Sequence, residues 1–119
     1  MAAATRAEKR RFSIMQDIGC VACIIEGELR NEDRRGTPPD IHHLIDGYRR
    51  GHKYTVALCP WHHRGVKPST SVSTINTRIE LGPSLANQPL TFTFVYGHDE
   101  ILLKKQNELI TNWAEDLIA

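Results

Sequence analysis

The sequence predicts a small α+β domain in which two short strands are followed by a helix, with further helices at both ends of the chain. Its 119 residues are enough for one domain, expected to span residues 1–119. Hydrophobic residues make up 40% of the chain, close to the globular norm, which excludes low-complexity disorder for most of it. Apolar residues follow a helical period near both termini and a strand-like pattern in the middle.

The first predicted element is a helix over residues 5–18. Thr5 can cap its N-terminus, and Phe12 and Ile18 mark one apolar face. Gly19 then suits a left-handed C-cap, because glycine adopts a positive φ without steric cost. The helix is therefore expected to end directly before the first pair of cysteines.

A β-hairpin followed by a helix is predicted in the middle of the chain. Residues 26–40 are polar, charged and proline-containing, which indicates a loop. Residues 41–45 and 53–59 are expected to form two paired strands joined by a loop of about seven residues. A new helical element then begins at Pro60 or Trp61.

The C-terminal part is predicted to be a linking segment followed by a long helix. Residues 68–89 are rich in Ser, Thr and Pro, with one short element expected at 75–81. Residues 90–96 have the propensity of a strand. Residues 99–118 are amphipathic and begin with two acidic side chains, as favours a helix N-terminus.

Composition and charge exclude some classes of protein. No apolar run approaches the ~20 residues that span a bilayer, and no apolar segment follows the charges of the first twelve residues, so no secretory signal is predicted. A soluble, cytoplasmic protein without a membrane partner is expected.

Residues 1–67 carry 12 Lys/Arg against 8 Asp/Glu, whereas residues 68–119 carry 3 against 6. The basic half is compatible with a polyanionic partner or simply with a solvated surface.

The cysteines predict a metal site. Cys20, Cys23 and Cys59 are an odd number, and in a reducing compartment thiols more often bind metal than pair. Cys20-x-x-Cys23 and Cys59-x-x-His62 share one spacing and can supply four ligands to a structural Zn²⁺ ion. His63 competes for the fourth position, and the spacing favours His62. Three buried, inert thiols or a redox C-x-x-C are the alternatives.

Four further histidines predict a second site. Five of the six histidines lie between residues 42 and 63, and His42, His43, His52 and His63 remain once His62 binds zinc. They fall on the first strand, at the end of the loop and at the helix start, three places that a hairpin packed against a helix brings together. Singly, each could be a hydrogen-bonded core residue or a loop residue.

These residues resemble a known family. I-H-H on a strand, followed by L-C-P-W-H-H at a helix start, is similar to the HNH, or ββα-metal, nucleases. The chain also contains the string G-C-x-x-C, I-H-H-L-I-D-G, L-C-x-x-H-H-x-G and then Y-G before an acidic helix start. This string resembles the phage recombination-enhancement, RecA-dependent nucleases (the Ref family). The resemblance covers residues 6–67 well and 84–110 loosely. It implies a treble-clef-like core at about 19–67, a helical segment at about 84–119, and helix rather than strand at 90–96.

The resemblance also implies roles for the histidines. Phosphodiester hydrolysis needs a base that activates water and a cation that stabilises the developing charge. In the family pattern the second residue of the His-His pair is the base and the first binds metal, which gives His43 as base and His42 as ligand. His63 becomes the other ligand of one Mg²⁺ or Mn²⁺ ion. Adjacent strand residues point to opposite faces, so His42 and His43 share a site only if the strand twists or ends there.

One family position is missing, because no asparagine lies between residues 41 and 63. His52 is the best candidate for its bracing role, and Tyr54 is the second. Basic residues around the site could hold phosphates or merely be solvated. They are Arg49, Arg50, Lys53, Arg64 and Lys67.

The resemblance thus predicts a metal-dependent DNA endonuclease in phage recombination. It would nick or cut single- or double-stranded DNA with low sequence specificity, in the host cytoplasm if phage-encoded, and a RecA filament is the further partner it implies. The alternatives are a catalytically inactive, zinc-stabilised DNA- or protein-binding module, and a homing- or restriction-type nuclease with real sequence specificity. The last would need an extra recognition element, for which 119 residues leave little room.

Overall fold

A computed structural model describes residues 2–45, 48 and 50–118, without the side chains of 117 and 118. The elements follow in the order α1 (Arg6–Ile18), α2 (Val21–Arg30), β1 (Asp40–His43), β2 (Thr55–Leu58), α3 (Pro60–Arg64), α4 (Thr74–Leu81), α5 (Pro89–Tyr96) and α6 (Asp99–Ile118). The predicted α+β class and the succession of two strands and a helix are confirmed. Among the described residues, no helix is both long and apolar enough to cross a membrane.

The N-terminal helix α1 starts where the sequence predicts. The Thr5 hydroxyl accepts a hydrogen bond from the Glu8 amide at 3.2 Å, and the Glu8 carboxylate accepts one from the Thr5 amide at 2.9 Å. This capping box satisfies two amides that the first helical turn leaves unpaired. Gly19 ends the helix with φ 109° and ψ −165°. Its φ is positive as predicted, but its ψ is extended rather than left-handed helical.

Helix α2 corrects the prediction of a loop from residue 26 onward. Cys20 is its N-cap, and the helix continues to Arg30, so residues 26–30 are helical. Polar composition is misleading here because Arg30 and Glu26 form an ion pair one helical turn apart, at 2.8 Å. Asn31 ends the helix in the left-handed region, with φ 58°.

The two strands form an antiparallel pair. Asp40 lies opposite Leu58, and His43 lies opposite Thr55. Both strands are shorter than predicted, and residues 44–54 connect them instead of a loop of about seven residues. Strand β2 is buried along its whole length and packs against α1, α2 and α6. The hairpin therefore lies with β2 in the core, and the less buried β1 carries His42 and His43.

The C-terminal helices cover the rest of the core. Residues 90–96 form helix rather than strand, because Phe92 and Tyr96 are buried one turn apart while Phe94 between them is 89% exposed. A strand would have put these three side chains on one face. In α6 the buried Gln106 accepts a hydrogen bond from the Ala57 amide of β2 at 2.8 Å.

Candidate functional site

Two helix N-termini bring the cysteines together. Cys20 caps α2 and Cys59 caps α3, and in each case the sulfur accepts a hydrogen bond from the backbone amide three residues later. The distances are 3.3 Å from the Cys23 amide to the Cys20 sulfur and 3.5 Å from the His62 amide to the Cys59 sulfur. The spacing of two intervening residues therefore follows from the geometry of a capped first turn, which points both members of each pair the same way.

The four side chains enclose a space that fits one zinc ion. The Cys23 and Cys59 sulfurs lie 3.7 Å apart, and Nδ1 of His62 lies 3.6 Å from the Cys20 sulfur and 3.3 Å from each of the other two. A tetrahedron with metal–sulfur bonds of about 2.3 Å and metal–nitrogen bonds of about 2.0 Å has sulfur–sulfur edges of about 3.8 Å and sulfur–nitrogen edges of about 3.5 Å. All three cysteines are free and buried. This Cys3His cluster could bind one Zn²⁺ ion, and His62 rather than His63 faces the sulfurs.

A second layer of hydrogen bonds orients His62. Its Nε2 donates to the Leu81 carbonyl at 2.8 Å, so Nδ1 is the ring nitrogen that faces the sulfurs. Burial alone would lower the pKa of His62, but hydrogen bonds to the Cys20 and Cys59 sulfurs outweigh it and raise the pKa to about 10. The negative charge that holds a proton here also attracts a metal cation.

Tyr96 and Glu26 complete this layer. The Tyr96 hydroxyl lies 3.3 Å from Nε2 of His62 and donates to the Glu26 carboxylate at 2.6 Å. Burial would raise the pKa of Glu26, but hydrogen bonds from Tyr96 and Arg30 lower it below its usual value, so the carboxylate is charged. Glu26 was not predicted from the sequence, although its position one turn after Cys23 on a helix would have placed it near the cluster.

The predicted second cluster brings His42 and His63 together. Nδ1 of His42 lies 3.2 Å from Nε2 of His63, with the ring centroids 4.8 Å apart. Nδ1 of His63 donates to the Asp40 carboxylate at 3.0 Å, because a charged carboxylate can only accept. In the neutral His63 ring the lone pair of Nε2 is then directed at His42. The Asp40 carboxylate also accepts a hydrogen bond from Nε of Arg64 at 2.8 Å. No role for Asp40 was predicted from the sequence.

The surroundings of His42 favour its neutral form. Burial lowers its pKa below the ordinary value of 6.5. A positive charge on His63 would lower the pKa further, Asp99 on α6 opposes this with a smaller effect, and a positive charge on His43 has the smallest effect. His42 is therefore mostly unprotonated near pH 7, and its ring nitrogen can bind a cation.

His43 pairs with His52 rather than with His63. Nε2 of His43 lies 3.0 Å from Nδ1 of His52, and the ring centroids are 5.2 Å apart. Nε2 of His52 donates to the Ala2 carbonyl at 2.8 Å. The four histidines thus form two pairs, as expected when His42 and His43 leave the strand on opposite faces. His42 and His43 are consecutive and β1 ends at His43, so the two pairs adjoin at the end of the strand.

The basic residues differ in their surroundings. Arg49 lies outside the described residues. Arg50 forms an ion pair with Glu100 and lies over the ring of Tyr54, 4.3 Å from its centroid. Arg64 contacts Asp40, and Lys67 donates to the Val72 carbonyl at 2.9 Å. Lys53, next to the histidine cluster, is exposed.

Comparison with known proteins adds one finding. A family model described as recombination enhancement, RecA-dependent nuclease, matches residues 4–111. No curated protein gives a match. The matched region contains both clusters, and it confirms the resemblance that the cysteine and histidine strings indicate.

Proposed function

The chain belongs to the recombination enhancement, RecA-dependent nuclease family, and from this membership we propose that it is a metal-dependent DNA endonuclease of the HNH type. The observation that carries the proposal is the pairing of His42 with His63, at 3.2 Å, beside the pairing of His43 with His52, at 3.0 Å. One pair suits metal binding and the other suits proton transfer. Hydrolysis of a phosphodiester needs both.

His42 and His63 are the proposed ligands of a Mg²⁺ or Mn²⁺ ion. Two nitrogens about 2.1 Å from one ion at a right angle would lie about 3.0 Å apart, close to the observed 3.2 Å. Asp40 would hold the His63 ring in place and keep its proton on Nδ1, as carboxylates behind metal-binding histidines do. The ion would supply stabilisation of the charge that develops on the phosphate oxygens.

His43 is the proposed general base. It would take the proton of the attacking water, since an imidazole changes charge near physiological pH. His52 would brace it: one proton lies between Nε2 of His43 and Nδ1 of His52, so the orientation of one ring fixes that of the other. His52 would thus fill the role of the missing asparagine.

Phosphate contacts would come from basic side chains near the histidines. Arg64 uses Nε for Asp40, and a guanidinium has further N–H donors for a phosphate. Exposed Lys53, together with Arg49, Arg50 and Lys67, would add positive charge. Such contacts hold DNA without reading its sequence, so we propose low sequence specificity for single- or double-stranded DNA.

The family description is the support for a role in recombination and for a RecA filament as partner. The form of the plasmid product, nicked circle or linear, separates nicking from double-strand cutting in the same assay as the metal requirement. The rival is a zinc-stabilised binding module without catalysis.

The test is a cleavage assay on supercoiled plasmid and single-stranded DNA, with EDTA, Mg²⁺ or Mn²⁺, and with or without RecA filaments. We expect cleavage that needs a divalent ion and that His43→Ala lowers by roughly 10²–10⁴-fold, with zinc content unchanged. His98→Ala is the matched control, because His98 is exposed and outside both clusters. Cleavage by the His43→Ala variant at the wild-type rate would refute the proposed base. DNA binding without cleavage under all conditions would favour the binding module.

A further inference from the structure

We propose that the N-terminal segment, residues 2–12, is part of the active site, where Ala2 and Phe12 position His52 and, through it, His43. This inference rests on the proposed function of the histidine pairs and adds positioning residues to it. His52 lies in the connection between the strands, outside their regular pairing, so the sheet does not fix its ring. Apart from the hydrogen bond with His43, the ring contacts of His52 come from α1 and the residues before it.

The first contact sets the proton on His52. Nε2 of His52 lies 2.8 Å from the Ala2 carbonyl, and a carbonyl can only accept, so Nε2 carries the hydrogen. In the neutral ring Nδ1 is then the acceptor, directed at Nε2 of His43. A backbone group of the N-terminal segment thereby selects the tautomer of His52, just as second-layer carbonyls select the tautomer of other functional histidines.

The second contact restricts both rings. The Phe12 ring packs edge-on against His52, with centroids 5.7 Å apart and an interplanar angle of 80°. It packs in the same way against His43, at 6.3 Å and 69°. One aromatic ring thus lies against both members of the pair, and such edge-to-face contacts are directional. Rotation of either imidazole out of its hydrogen bond would lose the contact with Phe12.

The third contact holds the backbone of His52. The Thr55 hydroxyl donates to the His52 carbonyl at 2.9 Å and accepts from Nε of Arg11 at 3.0 Å. Nη2 of Arg11 also donates to the Thr55 carbonyl at 2.7 Å. Consecutive residues of α1, Arg11 and Phe12, therefore fix the main chain and the ring of the same histidine.

The kinetic test replaces Phe12 and measures kcat and KM for plasmid cleavage. Phe12→Leu keeps apolar volume but removes the ring, and we expect kcat to fall by about 10–100-fold with KM nearly unchanged, as for misplacement of a reacting group. Phe12→Tyr keeps the ring and should restore most of kcat. Phe94→Leu is the matched control, because Phe94 is 89% exposed. If the wild-type protein cleaves DNA and Phe12→Leu has a kcat within twofold of wild type, the positioning role of Phe12 is overturned while the proposed function stands.

An NMR measurement tests the inference without depending on activity. In ¹⁵N-histidine-labelled wild-type protein at pH 8, couplings between ring nitrogens and carbon-bound protons should show the Nε2–H tautomer for His52. Phe12→Leu should give mixed tautomers there and leave the signals of His62 unchanged. A wild-type His52 with its proton on Nδ1 would contradict the role of the Ala2 carbonyl, whatever the cleavage assay shows.

Discussion

Asp40 shows how one side chain connects a strand to a helix. Asp40 lies opposite Leu58, and Leu58 is two residues before the start of α3. Strand pairing therefore places the Asp40 carboxylate beside His63 and Arg64. Burial would raise its pKa, but the hydrogen bonds from Arg64 and His63 lower it below the usual value. The carboxylate is therefore charged near pH 7 and can keep the His63 proton on Nδ1.

Asp40→Asn should weaken metal activation. The variant removes the charge that orients His63, and the loss of a second-layer carboxylate typically costs 10–100-fold in metal affinity or activity. The measurement is the Mn²⁺ concentration that gives half-maximal cleavage. Asp17→Asn, a change at an exposed position of α1, is the control. An unchanged Mn²⁺ requirement in Asp40→Asn would show that His63 needs no such support.

The sequence predicted the grouping of the Cys3His cluster better than the arrangement of the other histidines. Cys20, Cys23, Cys59 and His62 are fixed by local geometry, because each pair occupies one capped helical turn. The pairing of His43 with His52 depends on a connection longer than predicted and on contacts with α1. Such long-range side-chain placement has no local signal in the sequence.

Helices α4 and α5 meet α2 at a glycine that must lack a side chain. Gly82 ends α4 with φ 91°, and a Cβ atom there would collide with the Tyr96 hydroxyl and the Glu26 carboxylate. Its carbonyl also accepts a hydrogen bond from the indole of Trp61 at 2.9 Å. The segment from α4 to α5, which the sequence predicts to be a linker with one short element, therefore supports Tyr96 and Glu26 behind the Cys3His cluster.

Gly82→Ala should destabilise the protein by more than backbone strain alone. Strain at a positive φ costs about 1–3 kcal/mol, and the collision adds the loss of the Tyr96–Glu26 hydrogen bond. Gly51→Ala is an informative control, because Gly51 has φ 112° but nothing within 4 Å of the added Cβ. The measurement is the free energy of unfolding in urea. Equal losses in the two variants would mean that the collision is relieved at no cost.

Glu26 should make stability depend on pH in a definite direction. The pKa of Glu26 is lowered in the folded protein, mainly by Tyr96 and Arg30 acting against burial. Below its ordinary pKa of 4.5, the unfolded chain therefore binds more protons, and stability falls as the pH falls through this range. Above pH 4.5 the contribution of the Glu26 carboxylate to stability is fully present.

Glu26→Gln should flatten this dependence. The variant should be less stable than wild type at pH 7, by roughly 1–3 kcal/mol for a disrupted charged hydrogen-bond network, and the difference should shrink between pH 4.5 and the lowered pKa. Loss of zinc in acid affects both proteins, so the difference between their unfolding free energies isolates Glu26. Glu28→Gln, at a half-exposed ion pair with Lys105, is the control. A difference that is constant with pH would contradict the proposed charge state.

The Cys3His cluster and the histidine pairs are linked through one short helix. His62 and His63 are consecutive in α3, and His62 faces the sulfurs while His63 faces β1. The orientation of α3 thus fixes both. The cysteines also lie in the same buried cluster as Trp61, Phe92 and Tyr96. Metal bound by the cysteines would therefore order the core and the proposed active site together.

Removal of zinc should unfold the protein. Structural zinc contributes about 10–16 kcal/mol of apparent binding free energy in small zinc domains, which is of the same size as the whole stability of a domain, about 5–15 kcal/mol. Without it, the buried thiolates would repel one another or have to take up protons. A strong zinc chelator should abolish the cooperative thermal transition measured by circular dichroism, and one equivalent of Zn²⁺ should restore it. Mg²⁺ added instead should not restore the transition, because thiolates are poor ligands for it. A melting curve unaffected by chelation, with zinc shown to be absent, would mean that packing alone holds α2 and α3 together.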